Sequence, residues 1–400
     1  MSSIRSKQIS RRDFLRAGLA GAGTVVLASC CPSEPTEAPQ PTEAPEPEVI
    51  ELELWHGWEG TDGDVMDSVV EMFMDANPNW QVSSVQGKYD DAIITAISGG
   101  APPDAATTWG VKRTAQWAES GVIMELTNWV EDSDLDPSMY WQAALEVPQY
   151  KGGWYGLPVE IDAMGFFYNK AIFEEYGVEV PQTAEELYQI GRDLTEKDDA
   201  GNITQLGLSI RWHAFEGSAL AYGGRWWDPE SGIPTANEES NVAAWADLEA
   251  FYRDVGPTTI QAFKDQEAGW PTDSPFLGGQ AAIRLWGDWF VYFIRDYAPE
   301  IDYGIFAYPP GGPNGVSGTS TVDGSVYLIP NGVSQPERSW EFIYWMGTSE
   351  EGSCVLQTAW ANASPMKEVA HQAECQPAPN YALMLDIMDN ELMSTWPAIA

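Results

Sequence analysis

The sequence predicts an α/β protein of two lobes, each a mainly parallel sheet flanked by helices. Three observations carry that prediction. Strand-like and helix-like hydrophobic periods alternate along 49–109 as β-α-β-α-β, an order that needs right-handed crossovers between parallel strands. The alternation resumes after residue 149 and no internal repeat interrupts it. A chain of 400 residues with 44% hydrophobic and 12% aromatic content can also bury two cores of ordinary size, and is far too apolar for a disordered acidic segment.

The elements follow in order. Val49–His56 alternates through Val49, Ile50, Leu52 and Leu54 and reads as a strand. Val65, Met66, Val69, Val70 and Phe73 recur at helical spacing until Asn77-Pro78, where the pre-proline residue is driven out of helical backbone. Trp80–Val85 is a second strand, and Tyr89–Ile97 a second helix ended by Gly99-Gly100. Asp104–Trp109 is the third strand. Gly152-Gly153 turns a hairpin, and Ile161–Tyr168 is a further strand. Thr183 to Glu186 forms a capping box ahead of Leu187, Ile190 and Leu194. Gln205–Ile210 is a strand and 237–253 a long helix. Ala281–Leu285, Tyr303–Phe306 and Ser325–Ile329 are strands, and a second capping box, Ser334 to Glu337, opens a helix through Trp340, Ile343 and Tyr344.

The first 48 residues have a different character. Ser10-Arg11-Arg12-Asp13-Phe14-Leu15-Arg16 matches a twin-arginine export signal, followed by an apolar run from Ala17 to Ala28 too short to span a bilayer as a stable helix. Leu27-Ala28-Ser29-Cys30 matches the bacterial lipobox, in which Cys30 takes a lipid and becomes the first residue. A short membrane anchor is the alternative reading of this segment. Residues 1–29 are therefore expected to be a signal peptide. Residues 30–48, rich in proline and glutamate, are expected to be a tether reaching roughly 50 Å at ~3.1 Å per residue.

Charge excludes one class of partner. There are 20 Lys+Arg against 60 Asp+Glu, a net −40, and phosphate binding needs clustered bases, so nucleic acid is excluded. Loss of residues 1–29 removes five basic residues and one acid, leaving 15 against 59 and a net −44. Attachment to an anionic membrane by charge is disfavoured, so the expected link is covalent lipid. The histidines, His56, His213 and His371, are not at metal-ligand spacing, and no Gly-x-Ser-x-Gly, His-Glu-x-x-His or phosphate-loop motif occurs. No cofactor or metal is expected. Cys354 and Cys375 remain in the folded part; oxidising surroundings outside the cytoplasm predict a disulfide, with two buried thiols the alternative.

The order of several segments resembles the extracellular solute-binding proteins of ABC importers, specifically their sugar-binding class related to maltose-binding protein. Phe73 to Pro78, the passage from Tyr89-Asp90-Asp91 to Pro103-Asp104, and Tyr155-Gly156-Leu157-Pro158 with Phe167-Tyr168-Asn169-Lys170 and Phe173 carry the likeness. Thr183 to Leu187, Ala281 to Trp289 and Trp340-Glu341-Phe342 complete it over some 300 positions. The resemblance implies a type II periplasmic-binding-protein fold whose hinge the chain crosses several times. Its lobes are expected at 49–160 with 326–362, and at 161–325 with 363–400. It implies a monomer that carries a carbohydrate to an ABC permease. Two departures stand out: the chain stops at Ala400 where the family continues into another helix, and Asp288-Trp289 replaces the usual Pro-Trp.

A pyranose presents C–H faces that stack on indole and phenol rings, and a rim of hydroxyls that carboxylates and amides can bind. Nineteen tryptophans suit that chemistry. Trp58 and Glu59 after the first strand and Trp109 after the third are candidate contacts, whereas Trp55 reads as core. Glu160 and Asp162 sit at the first crossing, as hydroxyl acceptors, as an acid–base pair, or as solvated surface. Trp212, His213, Trp286, Asp288 and Trp289 are expected from the second lobe, with Asp323 at the second crossing and Trp360 at the third. Trp226-Trp227 reads as an extended site or as lobe packing. Two rival functions stay open: a tryptophan cage for a quaternary ammonium solute, and a surface glycoside hydrolase.

Overall fold

The computed structural model describes residues 49–210, 214–228, 231, 233–265, 274–390 and 392–394. The expected signal peptide and tether, Cys30, the Trp212-His213 pair and the final Trp396-Pro397 lie outside the described residues. Up to Trp109 the alternation is as expected: β1 (Ile50–Trp55), α1 (Thr61–Ala76), β2 (Trp80–Val85), α2 (Asp90–Ser98) and β3 (Ala105–Trp109). A helix that the sequence reading left out, α3 (Val111–Ser120), follows directly, and Gly110 supplies the positive φ that turns the chain into it. Gln149–Tyr150 and Gly153–Trp154 form the expected hairpin about Gly152.

Next come β4 (Leu157–Asn169), α4 (Ala184–Asp193), β5 (Ile203–Ser209), α5 (Glu239–Val255), β6 (Ala281–Gly287) and α6 (Phe290–Tyr297). The chain continues through β7 (Tyr303–Phe306), β8 (Ser320–Leu328), α7 (Pro336–Thr348) and α8 (Glu350–Trp360). The Thr183 hydroxyl caps α4 by accepting from Glu186 N, and the Glu186 carboxylate accepts from Gln182 N one residue outside the usual box. The second expected capping box is not made. Helix α7 starts with Gln335 as its cap and no side-chain bond, because Pro336 at the first helical position already fixes the entry angle.

Two parallel sheets were expected, and two parallel regions are present, β2-β1-β3 and β5-β6. Among the described residues they are fused into one ten-stranded sheet, in the order β2-β1-β3-β8-β4-β6-β5 followed by Glu196–Lys197. The fusion is made by β4 and β8, which run antiparallel to each other and to their outer neighbours. Residues Leu157–Ala163 of β4 pair with β8, while Met164–Tyr168 pair with β6. The ladder shifts register between Ser325 and Val326, opposite Pro158. Proline has no N–H for a ladder and is tolerated at such a bulge, which bends and twists the strand.

Separate apolar cores lie on either side of this junction. Leu54, Val70, Phe73, Tyr327 and Phe342 belong to the first, and Phe166, Leu208, Phe251 and Leu285 to the second. Fully burying each such side chain stabilises by about 1.5–3 kcal/mol. A further cluster around Phe167, Trp286 and Phe290 takes in Trp141 and Ala144 from the region before β4. Cys354 and Cys375 are joined by a disulfide, tying α8 to the turn at Ala373–Cys375. No described helix is long and apolar enough to cross a membrane.

Candidate functional site

A cavity of about 820 Å³ opens beside the β4–β8 junction. Its first wall is aromatic. Trp109 ends β3 and its ring lies over Gly57; a Cβ there would come within 1.9 Å of the indole. Trp58 stacks on Trp360 at 4.5 Å and 17°, and meets Trp109 edge-on at 5.5 Å and 68°. Tyr89 leans on Trp109 at 5.9 Å, and its hydroxyl donates to Glu59 Oε2 at 3.1 Å. Trp360 closes α8 and donates from Nε1 to the Asp62 carbonyl at 3.2 Å. The next residue, Ala361, is buried at φ 60, a left-handed conformation unusual for alanine. That turn lets both Trp360 and Asn362 reach the cavity.

The floor is acidic and comes from the junction itself. Glu160 and Asp162, two apart on β4, share one face of the strand. Opposite them in the ladder stand Ser325 and Asp323. The Ser325 hydroxyl donates to Glu160 Oε1, and Glu160 is also bonded to its neighbour Asp162. Asn362 donates its amide to Asp162 Oδ1 and, at 3.5 Å, to Asp288 Oδ1. Asp323 accepts from Val111 N at 3.1 Å, the positive end of α3. Burial pushes the Glu160 and Asp288 carboxyls well above the ordinary range, and the charge of Asp162 adds to both shifts. Burial likewise raises Asp162 to about 7, with a contribution from Asp323, while its bonds from Glu160 and Asn362 pull the other way. At neutral pH this set holds protons in common.

The second wall comes from α6 and the turn before it. Gly287 is bedded under Trp289 as Gly57 is under Trp109; a Cβ there would meet the ring at 1.9 Å. Tyr292 and Phe293 complete this wall. Burial and the nearby Asp62 carboxylate raise the Tyr292 hydroxyl to about 12. Arg295 on the same helix donates to the carbonyls of Thr358 at 2.7 Å and Ala359 at 3.2 Å. A cation at the last turn of α8 also suits its helix dipole, so Arg295 holds the two walls at one edge.

Of the residues expected from sequence, the structure brings Trp58, Glu59, Trp109, Glu160, Asp162, Trp289 and Trp360 to this cavity. Three others need correction. Trp286 is 1% exposed inside the core, because β6 runs on to Gly287 and pairs Trp286 with Gly165; its ring packs on Phe290 and under the Arg284 guanidinium. Asp288 is fully buried behind the floor, accepting from Ala363 N, Tyr381 Oη and Trp289 N. Asp323 does not line the cavity and caps α3 instead. Trp226 is also absent from the lining and packs edge-on against Phe215. Trp55 packs at the edge of a small core under Lys88. His56 is buried, bonds Ser84 at 2.9 Å, and is held toward its neutral form by burial.

Sequence reasoning missed Asp62, Tyr89, Tyr292 and Phe293 as wall residues. Tyr89 and Asp62 stand at the starts of α2 and α1, in the strand-end loops that sequence marks as a binding edge. Tyr292 and Phe293 lie in a helix whose apolar face gave no separate signal. Among the described residues, no group of three or more His, Cys, Asp or Glu could hold a metal ion.

A protein with 26% identity over 304 residues is the maltotriose-binding protein of Pyrococcus abyssi, covering 74% of this chain. The chain spans only 62% of that relative's length. The α-glucosides-binding periplasmic protein AglE of Rhizobium meliloti is 26% identical over 65% of this chain and 53% of its own. Among solved structures, CpMnBP1 with mannobiose bound matches at TM-score 0.74 and 25% identity, over 88% of this chain and 91% of the other. The sugar-binding protein MalE from Xanthomonas citri shares the two-lobe fold at TM-score 0.71 and 18% identity, over 88% of this chain and 87% of its own. The model of the bacterial extracellular solute-binding protein family matches residues 57–352, and this chain belongs to that family.

Proposed function

We propose that this protein captures a carbohydrate between its two walls outside the cytoplasm and delivers it to an ABC permease, without chemical change to the ligand. One observation carries the reading: Trp58 and Trp109 present faces at 68° to each other beside the acidic rims of Glu59 and Asp62. Trp360 stacks on one face of Trp58 and holds the indole in place at the cavity. Stacked planes with polar rims suit pyranose rings, whereas a quaternary ammonium ion calls for a closed box of rings. A cavity of about 820 Å³ lies toward the large end for small-molecule sites and has room for more than one ring. The ligands of similar proteins, maltotriose and mannobiose among them, point the same way.

The lobes are taken as 49–160 with 326–362 and 161–325 with 363–400, hinged at β4 and β8, and ligand shifts them toward the closed form. The chain is taken as a monomer held by lipid on Cys30, on the strength of the Leu27–Cys30 motif. Replacement of Cys30 by alanine should then release it from the membrane fraction; retention there rules the anchor out.

The test is a thermal-shift screen of the full chain against mono- and oligosaccharides, with product analysis of each mixture. A ligand that binds only the folded state at a hundred times its Kd raises stability by about 2.7 kcal/mol. A shift with unchanged sugar is the expected result. Hydrolysis of the bound glycan would identify a hydrolase, and a response to betaine-type solutes alone would identify a cation cage.

A further inference from the structure

The loop that carries Trp58 and Glu59 to the cavity runs into a helix start that cannot cap itself. Gly60 is the N-cap of α1, at φ 58, and has no side chain to accept a helical N–H. Three residues on, where a capping box has a glutamate or glutamine that reaches back to the N-cap amide, stands Gly63. The group missing there comes from the neighbouring strand-end loop. Gln86, just past β2, lies so close to Gly63 that a Cβ on that glycine would come within 2.3 Å of the Gln86 amide carbon. Gln86 Oε1 accepts from Gly60 N at 3.1 Å, the bond that a residue at 63 makes in an ordinary box.

Both hydrogens of the same amide are used as well. Nε2 donates to Asp64 Oδ1 at 3.1 Å and to Asp67 Oδ2 at 2.8 Å, two carboxylates one turn apart on α1. A reversed amide would set its nitrogen against the Gly60 N–H and its oxygen against two carboxylates, so only one orientation fits. Around this amide the backbones of the two loops are tied together. His56 N donates to Val85 O at 3.1 Å, Lys88 N to His56 O at 2.8 Å, and Gly87 N to Trp58 O at 3.3 Å. The Glu59 carboxylate lies over Gly87, where a Cβ would come within 2.3 Å of Oε1. Gln86 itself is not among the residues that line the cavity.

We propose that Gln86 is a positioning residue for capture: its amide fixes the turn at Gly60 and so holds Trp58 and Glu59 in place at the ligand. This rests on the carbohydrate reading of the cleft and deepens it, because affinity at the first wall is then set by a side chain that touches no sugar. Without the amide, Gly60 N and the two carboxylates turn to water, and a glycine at positive φ is free to leave that conformation. The indole then loses the fixed lower end of its loop while the Gly87 bond alone remains.

The test joins circular dichroism to calorimetry on the full chain, with maltotriose and mannobiose as probes. The Trp58–Trp360 stack and the Trp58–Trp109 edge contact couple indole transitions, so the natural spectrum minus that of Trp58→Ala isolates their exciton signal. Gln86→Met, of like shape without the polar atoms, should lose most of that signal and weaken sugar binding about tenfold. In a Trp58→Ala background the same substitution should change affinity by less than about twofold. Gln86→Glu keeps the acceptor for Gly60 N but sets a charge against Asp64 and Asp67. It should bind weakly at about pH 7.5 and approach the natural chain, compared at the same pH, at about pH 5, where protonation restores a donor. An unchanged exciton signal in Gln86→Met, or an equal loss of affinity with and without Trp58, would overturn the inference. Should Gln86→Met lose its cooperative thermal transition, Gln86→Glu decides, and no recovery on acidification overturns the inference. Should the natural chain bind neither sugar, the carbohydrate reading passes to the wider screen, while the exciton signal still decides the role of Gln86.

Discussion

The aromatic wall and the acidic floor of the cavity are built on opposite principles. In the walls three indoles have a bed: Trp109 on Gly57, Trp58 on Trp360, Trp289 on Gly287. Polar atoms there are also matched, as the bonds from Tyr89 to Glu59 and from Trp360 to Asp62 show. The floor gathers Glu160, Asp162 and Asp288 where burial and mutual repulsion favour their neutral forms. The wall is pre-organised by packing, whereas the floor gathers buried acids whose charged forms burial disfavours. A binding site can thus separate shape, which the rings supply, from electrostatic demand, which the hinge strands supply.

The largest expected effect tests whether the floor is nonetheless held together from behind. Replacing Asp288 by alanine strands the Ala363 amide and the Tyr381 hydroxyl in the interior. The loss should be about 3 kcal/mol of unfolding free energy, measured by denaturant titration. A change below about 1 kcal/mol would mean that the floor supports itself.

A smaller effect separates wall from floor. Trp58→Ala removes the stacking face and should weaken sugar binding by about 2 kcal/mol, some thirtyfold, in calorimetry. Thermal stability should fall less than in the Asp288 variant, since Trp58 is half-buried. Unchanged affinity would move the ligand away from the wall.

The smallest effect has the opposite sign. Glu160→Gln removes a carboxyl whose folded pKa lies well above its ordinary 4.5. Such an acid lowers stability as pH rises from its unfolded toward its folded value, and has no such effect below the unfolded value. The glutamine variant should therefore be more stable than the natural chain at pH 7, by about 1 kcal/mol, with the gain vanishing near pH 4. Melting curves across that range check it. A variant less stable at pH 7 would show that the Ser325 bond outweighs the burial cost.

Much of the wall was legible in sequence. Trp58 and Glu59 lie just past one strand of a β-α-β run and Trp109 ends another, and the carboxyl edge of such a sheet is where ligands bind. Trp286 misled because Trp286-Gly287 reads as loop, yet the strand runs two residues further and takes that indole into the core. Asp288 and Asp323 are polar residues near the site, but their partners, Ala363 and Val111, are distant in the chain.

By itself the sequence determined the α/β alternation, the binding edge and the aromatic supply, because hydrophobic period and turn chemistry act over a few neighbouring residues. Only the tertiary structure decided that the two parallel regions fuse through β4 and β8, and that Asp323 stands opposite Asp162 and Ser325 opposite Glu160. Strand register and shared burial are contacts between distant segments. Whether a carboxylate is a solvated surface group or part of a buried, proton-sharing floor depends on which strand lies beside it.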